Sequence, residues 1–162
     1  MSLEVNNDLG YEYFEKISKL APKLGLSALG VTNAEPFLET RIEIERRKEK
    51  ELHGGMQFTF RNPERSTTPK MIMKDAKSLI VGALRTPAPR LETVSSEALR
   101  IAAYARKDYY SVLREALTEI SEILKKDGWK AQVVADENSL VDRAAAIRAG
   151  IGWHGKNGNV LI

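Results

Sequence analysis

The chain has 162 residues, 43% hydrophobic and 29% charged, with a formal net charge of +3. That length suits one domain with a real core, 1–162, and so small an excess of cations permits nucleic-acid binding without demanding it. Cysteine is absent, which excludes disulfides, thiolate metal sites, a nucleophilic thiol and cysteine-ligated iron–sulfur clusters within these residues. No apolar run approaches the ~20 residues of a membrane span and no signal-peptide core opens the sequence, so a cytoplasmic protein without a membrane partner is expected.

From Tyr11 to Leu24, Phe14, Ile17, Leu20 and Leu24 recur at helical spacing between charged residues, which predicts an amphipathic helix. Leu26 to Val31 is short and apolar and reads as the first strand, followed by a turn and helix start at 32–36. The nearly continuous charges of Phe37 to Leu52 predict a solvated helix laced by pairs one turn apart, ended by Gly54 and Gly55. Met56 to Arg65 carries two phenylalanines and two arginines. It reads as a short helix and loop over the core, with an edge strand as the alternative.

Ser78 to Leu84, with Leu79, Ile80 and Val81 at its centre, predicts a buried strand, and the Pro-rich span 85–96 predicts a flexible loop. Asp108 is the expected N-cap of the longest helix, whose apolar face runs from Val112 to Leu124 and which Asp127 and Gly128 stop. Trp129 then leads into a strand that ends at Asp136. Ser139 with Asp142 resembles a capping box for a helix from Leu140 to Ala149, and Gly150 suits its C-terminal cap. Strands alternating with helices predict an α/β (α+β) domain with a central mixed sheet.

Chemistry concentrates after that helix. Gly152, Gly155 and Gly158 allow tight turns or close approach of backbone to a ligand, and between them stand Trp153, His154, Lys156 and Asn157. The run is no Walker loop, because its lysine lacks a following Ser or Thr and it follows a helix instead of opening one. Nor is it a dinucleotide fingerprint, since the order of strand, glycines and helix is reversed. A strand, helix and glycine loop serving structure alone is the plain alternative.

The segment VVADENSLVDRAAAIRAGIGWHGKNGNVLI resembles the pattern V-D-x-x-P-L-x-E/D-R-A-x-A-x-x-A-G-L-G-W-x-G-K-N of epoxyqueuosine reductases. Residues 24–31 (LGLSALGV) and 100–109 (RIAAYARKDY) resemble two further blocks of that family, in the right order. The resemblance implies helices on both faces of the sheet, in an arrangement like the nitroreductase fold. It also implies cobalamin as cofactor, tRNA as substrate, and the reduction of epoxyqueuosine to queuosine. Asp136 would be the proton donor, with either one residue inserted before it or Ala135 in place of the family's Val, and with Asn138-Ser139 where the family has Pro nearby. Tyr104, Tyr109 and Tyr110, the last replacing the family's His, would line the site. Arg143, Gly152, Trp153, Gly155, Lys156 and Asn157 would face the corrin, although core packing for the tyrosines and plain exposure for Arg143 and Lys156 stand as alternatives. No metal is expected to be held by side chains of this chain. The family's two four-iron four-sulfur clusters belong to a module expected after Ile162, so turnover calls for that module or a reductant protein; the alternative is a non-catalytic binding module of the same fold.

Overall fold

The computed structural model describes residues 6–86, 105–135, 137, 139–156 and 158–162, with the backbone alone for 6–11. Among them helices and strands are mixed, and the sheets are small: two separate two-stranded antiparallel pairs, in place of one central mixed sheet.

The larger pair joins β1 (Ala28–Asn33) to β2 (Ser78–Ala83), with Gly30 opposite Val81 and Val31 opposite Ile80. Side chains alternate across a strand, and here the alternation sorts the Leu79-Ile80-Val81 run onto two cores. Ile80, with Leu29, packs against Ile17, Ala21, Leu26, Ala116 and Ile120, the faces of α1 (Asn6–Leu20) and α4 (Tyr109–Lys126) and the turn after α1. Leu79 and Val81 pack against Phe37, Ile44, Val141 and Ala145, which belong to α2 (Leu38–Glu49), α5 (Asp142–Arg148) and their leading residues. Helices therefore cover both faces of the ribbon. Ile17 and Ile120 are each 2% exposed, and burial of such a side chain is worth about 1.5–3 kcal/mol.

Most helix boundaries follow the sequence signals. Asp108 caps α4 by accepting from the Ser111 N–H at 3.0 Å and from the Ser111 hydroxyl, bonds that hold its carboxyl below the usual range. On α2, Glu43 accepts from Arg46 Nε and Arg47 Nε, each at 2.7 Å, and these bonds lower its carboxyl to about 2. Residues 58–60 form a 3-10 turn that runs into the short α3 (Pro63–Ser66), which answers the helix-or-strand alternative in favour of helix. Phe60 turns inward to the second core while Phe58 stays 57% exposed.

Two expectations change around α5. Residues 129–135 form no strand; among the described residues β1 and β2 pair only with each other, and the Ala135 carbonyl accepts instead from Arg114 Nη2 at 2.9 Å. The helix starts at Asp142, and Ser139 does not cap it. Val141 takes the cap position with no side-chain bond, because its side chain is buried in the second core and its N–H donates to the Ser66 carbonyl at 3.0 Å. Its far end is as expected: Gly150 is left-handed at φ 73°, with Ile151 N–H donating to Ala146 O and Gly150 N–H to Ile147 O, a Schellman closure. Arg148 fastens α5 to the β1–α2 connection through the carbonyls of Asn33 and Glu35 and lies 3.4 Å from the Phe37 ring centre. Partial burial lowers its pKa. Of the loop expected over 85–96, residues 87–96 lie outside the described part. No helix among the described residues is long and apolar enough to cross a membrane.

Candidate functional site

The glycine segment forms a hairpin. β3 (Trp153–His154) pairs antiparallel with β4 (Val160–Leu161), and the turn closes through Gly155 N–H to Asn159 O at 2.8 Å and Gly158 N–H to Gly155 O at 3.0 Å. Gly158 is left-handed at φ 79°, the conformation that favours glycine. Arg143 on α5 donates from Nη1 to the Gly158 carbonyl at 3.0 Å, so it braces the hairpin. Trp153 is 60% exposed, and His154 and Lys156 are exposed with it. Arg143, Gly152, Trp153, Gly155 and Lys156 thus form one unit of α5 and hairpin; Asn157 lies outside the described residues.

Gly152 answers to packing within the chain. A Cβ there would stand 2.6 Å from Val160 Cγ1 and 2.8 Å from the Leu161 carbonyl oxygen. Gly152→Ala is therefore expected to cost about 1–3 kcal/mol through overpacking. Gly158→Ala has open space around the added carbon and pays only for its φ, about 1 kcal/mol. Thermal melts of the two variants check the order.

A second unit gathers around the candidate carboxylate. Asp136 lies outside the described residues, but both neighbours are held by one side chain: Arg114 donates from Nη2 to Ala135 O at 2.9 Å and from Nη1 to Glu137 Oε1 at 3.0 Å. Tyr110, 54% exposed, sits one turn before Arg114 on the same face of α4. Tyr109 is half-buried with Lys107 Nζ 6.0 Å from its ring centre, and Tyr104 lies outside the described residues.

Glu137 also lines a cavity of about 420 Å³ whose other walls are Gln57, Phe58, Arg61, Asn62, Arg65 and Ser66. Apart from the aromatic and arginine content of 56–65, no local signal indicates that this segment meets residues 135 and 137. Ser66 accounts for the meeting, since its carbonyl holds Val141 and its hydroxyl donates to Thr59 O and Pro63 O at 3.2 Å each.

No family model matches the chain. The epoxyqueuosine reductase of Lactococcus garvieae is 33% identical over 150 residues, which are 89% of this chain and 42% of that protein. That of Bacillus subtilis is 32% identical over 158 residues, 91% of this chain and 39% of that protein. Among solved structures, epoxyqueuosine reductase from Streptococcus thermophilus superposes with a TM-score of 0.81 at 30% identity, covering 92% of this chain and 41% of that one. An epoxyqueuosine reductase crystallised with a tRNA-Tyr epoxyqueuosine-modified stem loop gives 0.76 at 28% identity, covering 93% and 41%. The Bacillus subtilis structure, with its aspartate-bearing catalytic loop swung out of the active site, gives 0.74 at 28% identity, covering 94% and 41%. Over nine-tenths of its length this chain is similar in sequence and in fold to one part, about two-fifths, of the epoxyqueuosine reductases.

Proposed function

We propose that this chain is the cobalamin-binding part of an epoxyqueuosine reductase-like protein, acting in the cytoplasm on tRNA, with its helices and sheet in the nitroreductase-like arrangement. The observation that carries the reading is the superposition, at a TM-score of 0.76 over 93% of the chain, on a reductase holding a modified tRNA stem loop.

The hairpin has the chemistry a corrinoid needs. Trp153 offers an exposed ring face, Lys156 an exposed ammonium for amide or phosphate oxygens, and there is open space beside Gly150 at the end of α5 and Gly158 in the turn. Arg143, Gly155 and Asn157 complete the expected cradle. Bound and reduced, cobalamin supplies the two electrons that turn an epoxide into an alkene. With no cysteine in the chain, those electrons come through an iron–sulfur module or a reductant protein. Loss of the epoxide oxygen as water consumes two protons, and Asp136 delivers one to that oxygen. The Bacillus subtilis relative has a catalytic loop that bears an aspartate, which supports assigning the donor to an aspartate. Arg114 holds the residues on either side, while the Tyr110 hydroxyl, on the same helix face, donates towards the substrate.

Titration with cob(II)alamin tests the reading directly. A change in the cobalt spectrum is expected at micromolar protein, and Lys156→Gln weakens it. An unchanged spectrum at high micromolar protein overturns cobalamin binding and favours the non-catalytic module, for which Tyr110 in place of the family's His also speaks.

A further inference from the structure

Arginine is well used in this chain. Arg41, Arg46, Arg47, Arg114, Arg143 and Arg148 all engage carboxylates, hydroxyls or carbonyls. Arg61 and Arg65 are exceptions. Both are exposed, both line the cavity against Glu137, and neither guanidinium has an ion-pair or hydrogen-bond partner among the described residues. Glu64, adjacent to Arg65 in sequence, lies 3.9 Å from Arg41, and Glu137, in the cavity wall, lies 3.0 Å from Arg114. A wall with two uncompensated cations faces a cavity of about 420 Å³, within the ordinary range for a small-ligand site.

Phe58 is the third element. It lines the same cavity with 57% of its surface exposed, and its backbone is left-handed at φ 25°, where non-glycine residues are rare and strained. The surrounding bonds over-determine that conformation. Arg61 N–H donates to Gln57 O at 2.8 Å, Asn62 Oδ1 accepts from Arg65 N–H at 3.0 Å, and Phe60 anchors the turn in the second core. The fold thus holds an aromatic ring out of the core, beside two arginines whose charge awaits an anion.

We propose that this cavity binds an unpaired nucleotide of an RNA strand, with its base stacked on Phe58 and its phosphodiester held by Arg61 and Arg65. An aromatic face and forked guanidinium donors are the complementary groups for a base and a phosphate. A base inside a duplex cannot offer its face, so the site selects single-stranded or looped RNA. The proposal rests on the reading that the protein acts on tRNA, and it locates a contact beside the 135–137 loop.

Fluorescence anisotropy with a short labelled single-stranded RNA, and with the same sequence as a duplex, tests it across a salt series. Arg61→Gln/Arg65→Gln is expected to make the salt slope shallower by roughly 0.7–1.4, as fits the loss of one or two phosphate contacts. Phe58→Leu keeps the apolar bulk without the ring and is expected to weaken binding roughly 5-fold or more. Lys23→Gln/Lys126→Gln removes the same charge elsewhere and controls for net charge; thermal melts establish that each variant is folded. Weakening confined to the cavity variants, with preference for the single strand, upholds the site. RNA binding that the cavity variants leave at the level of the lysine control overturns the site while the tRNA reading stands, and no RNA binding by the native chain overturns both. Displacement of the RNA by cobalamin, with cobalamin affinity lowered in Arg61→Gln/Arg65→Gln, assigns the cavity to the phosphodiester of the cofactor and overturns the proposal.

Discussion

Gly30→Ala is expected to destabilise the protein by about 3 kcal/mol, more than most single-methyl insertions. A Cβ at Gly30 would stand 2.5 Å from the Ala149 carbonyl oxygen and 2.6 Å from Ile151 Cγ2. The first of these is backbone, in the closing turn of α5, which Arg148 and the Schellman bonds fix against β1. Relief therefore requires α5 to move, and with it the hairpin that Arg143 braces. Gly82→Ala, on the partner strand, is the control. Its nearest neighbour is Leu117 Cδ2 at 3.0 Å, the end of a flexible side chain, which can turn aside for about 1 kcal/mol. In a domain of this size each kcal/mol shifts the melting temperature by roughly 2–4 °C. Gly30→Ala is thus expected to melt about 6–12 °C below the native chain and Gly82→Ala within about 4 °C of it. Equal shifts would mean that α5 does not press on β1 as described.

The same contact explains what the sequence displayed and what it hid. Periodicity and caps report on local structure, and there the reading was good: Asp108 starts α4, Gly150 closes α5, and the charges of α2 pair along its own surface. Leu79-Ile80-Val81 was legible as a strand, since contact with a core on both faces needs apolar residues at every position, although all three are half-buried, not buried. Non-local partners were not legible. Nothing in VVAD announces that Arg114, some twenty residues upstream, will take the Ala135 carbonyl, so the segment looked like a strand. Ser139 had the composition of a cap, but the tie between Val141 and Ser66 moved the helix start past it. Gly152 read as an invitation to a ligand, and its empty side is filled by Val160 and Leu161. The cavity beside Glu137 likewise depends on residues about seventy positions apart.

Asp136→Asn is expected to retain cobalamin yet to slow epoxide reduction by roughly 10²–10⁴-fold, the usual contribution of a general acid. The amide keeps the size of the carboxyl and much of its hydrogen bonding, but it has no proton to give to the departing oxygen. Asp142 is the internal control. It lies exposed in the first turn of α5, where a negative charge near the positive end of the helix is worth about 0.3–1 kcal/mol. Asp142→Asn is therefore expected to lower stability slightly and leave the chemistry intact. The Ala135 carbonyl and the Glu137 carboxylate, through which Arg114 grips residues 135 and 137, are untouched by either substitution. An unchanged melt and unchanged cobalamin binding in Asp136→Asn would assign its loss of rate to the carboxyl itself. The measurement is single-turnover conversion of epoxyqueuosine-containing tRNA, with reductant and cobalamin supplied and the cobalt spectrum followed in parallel. A rate in Asp136→Asn equal to that of the native protein, or a larger loss in Asp142→Asn, would place the proton donor on another residue, and the exposed Tyr110 hydroxyl would be the next to replace.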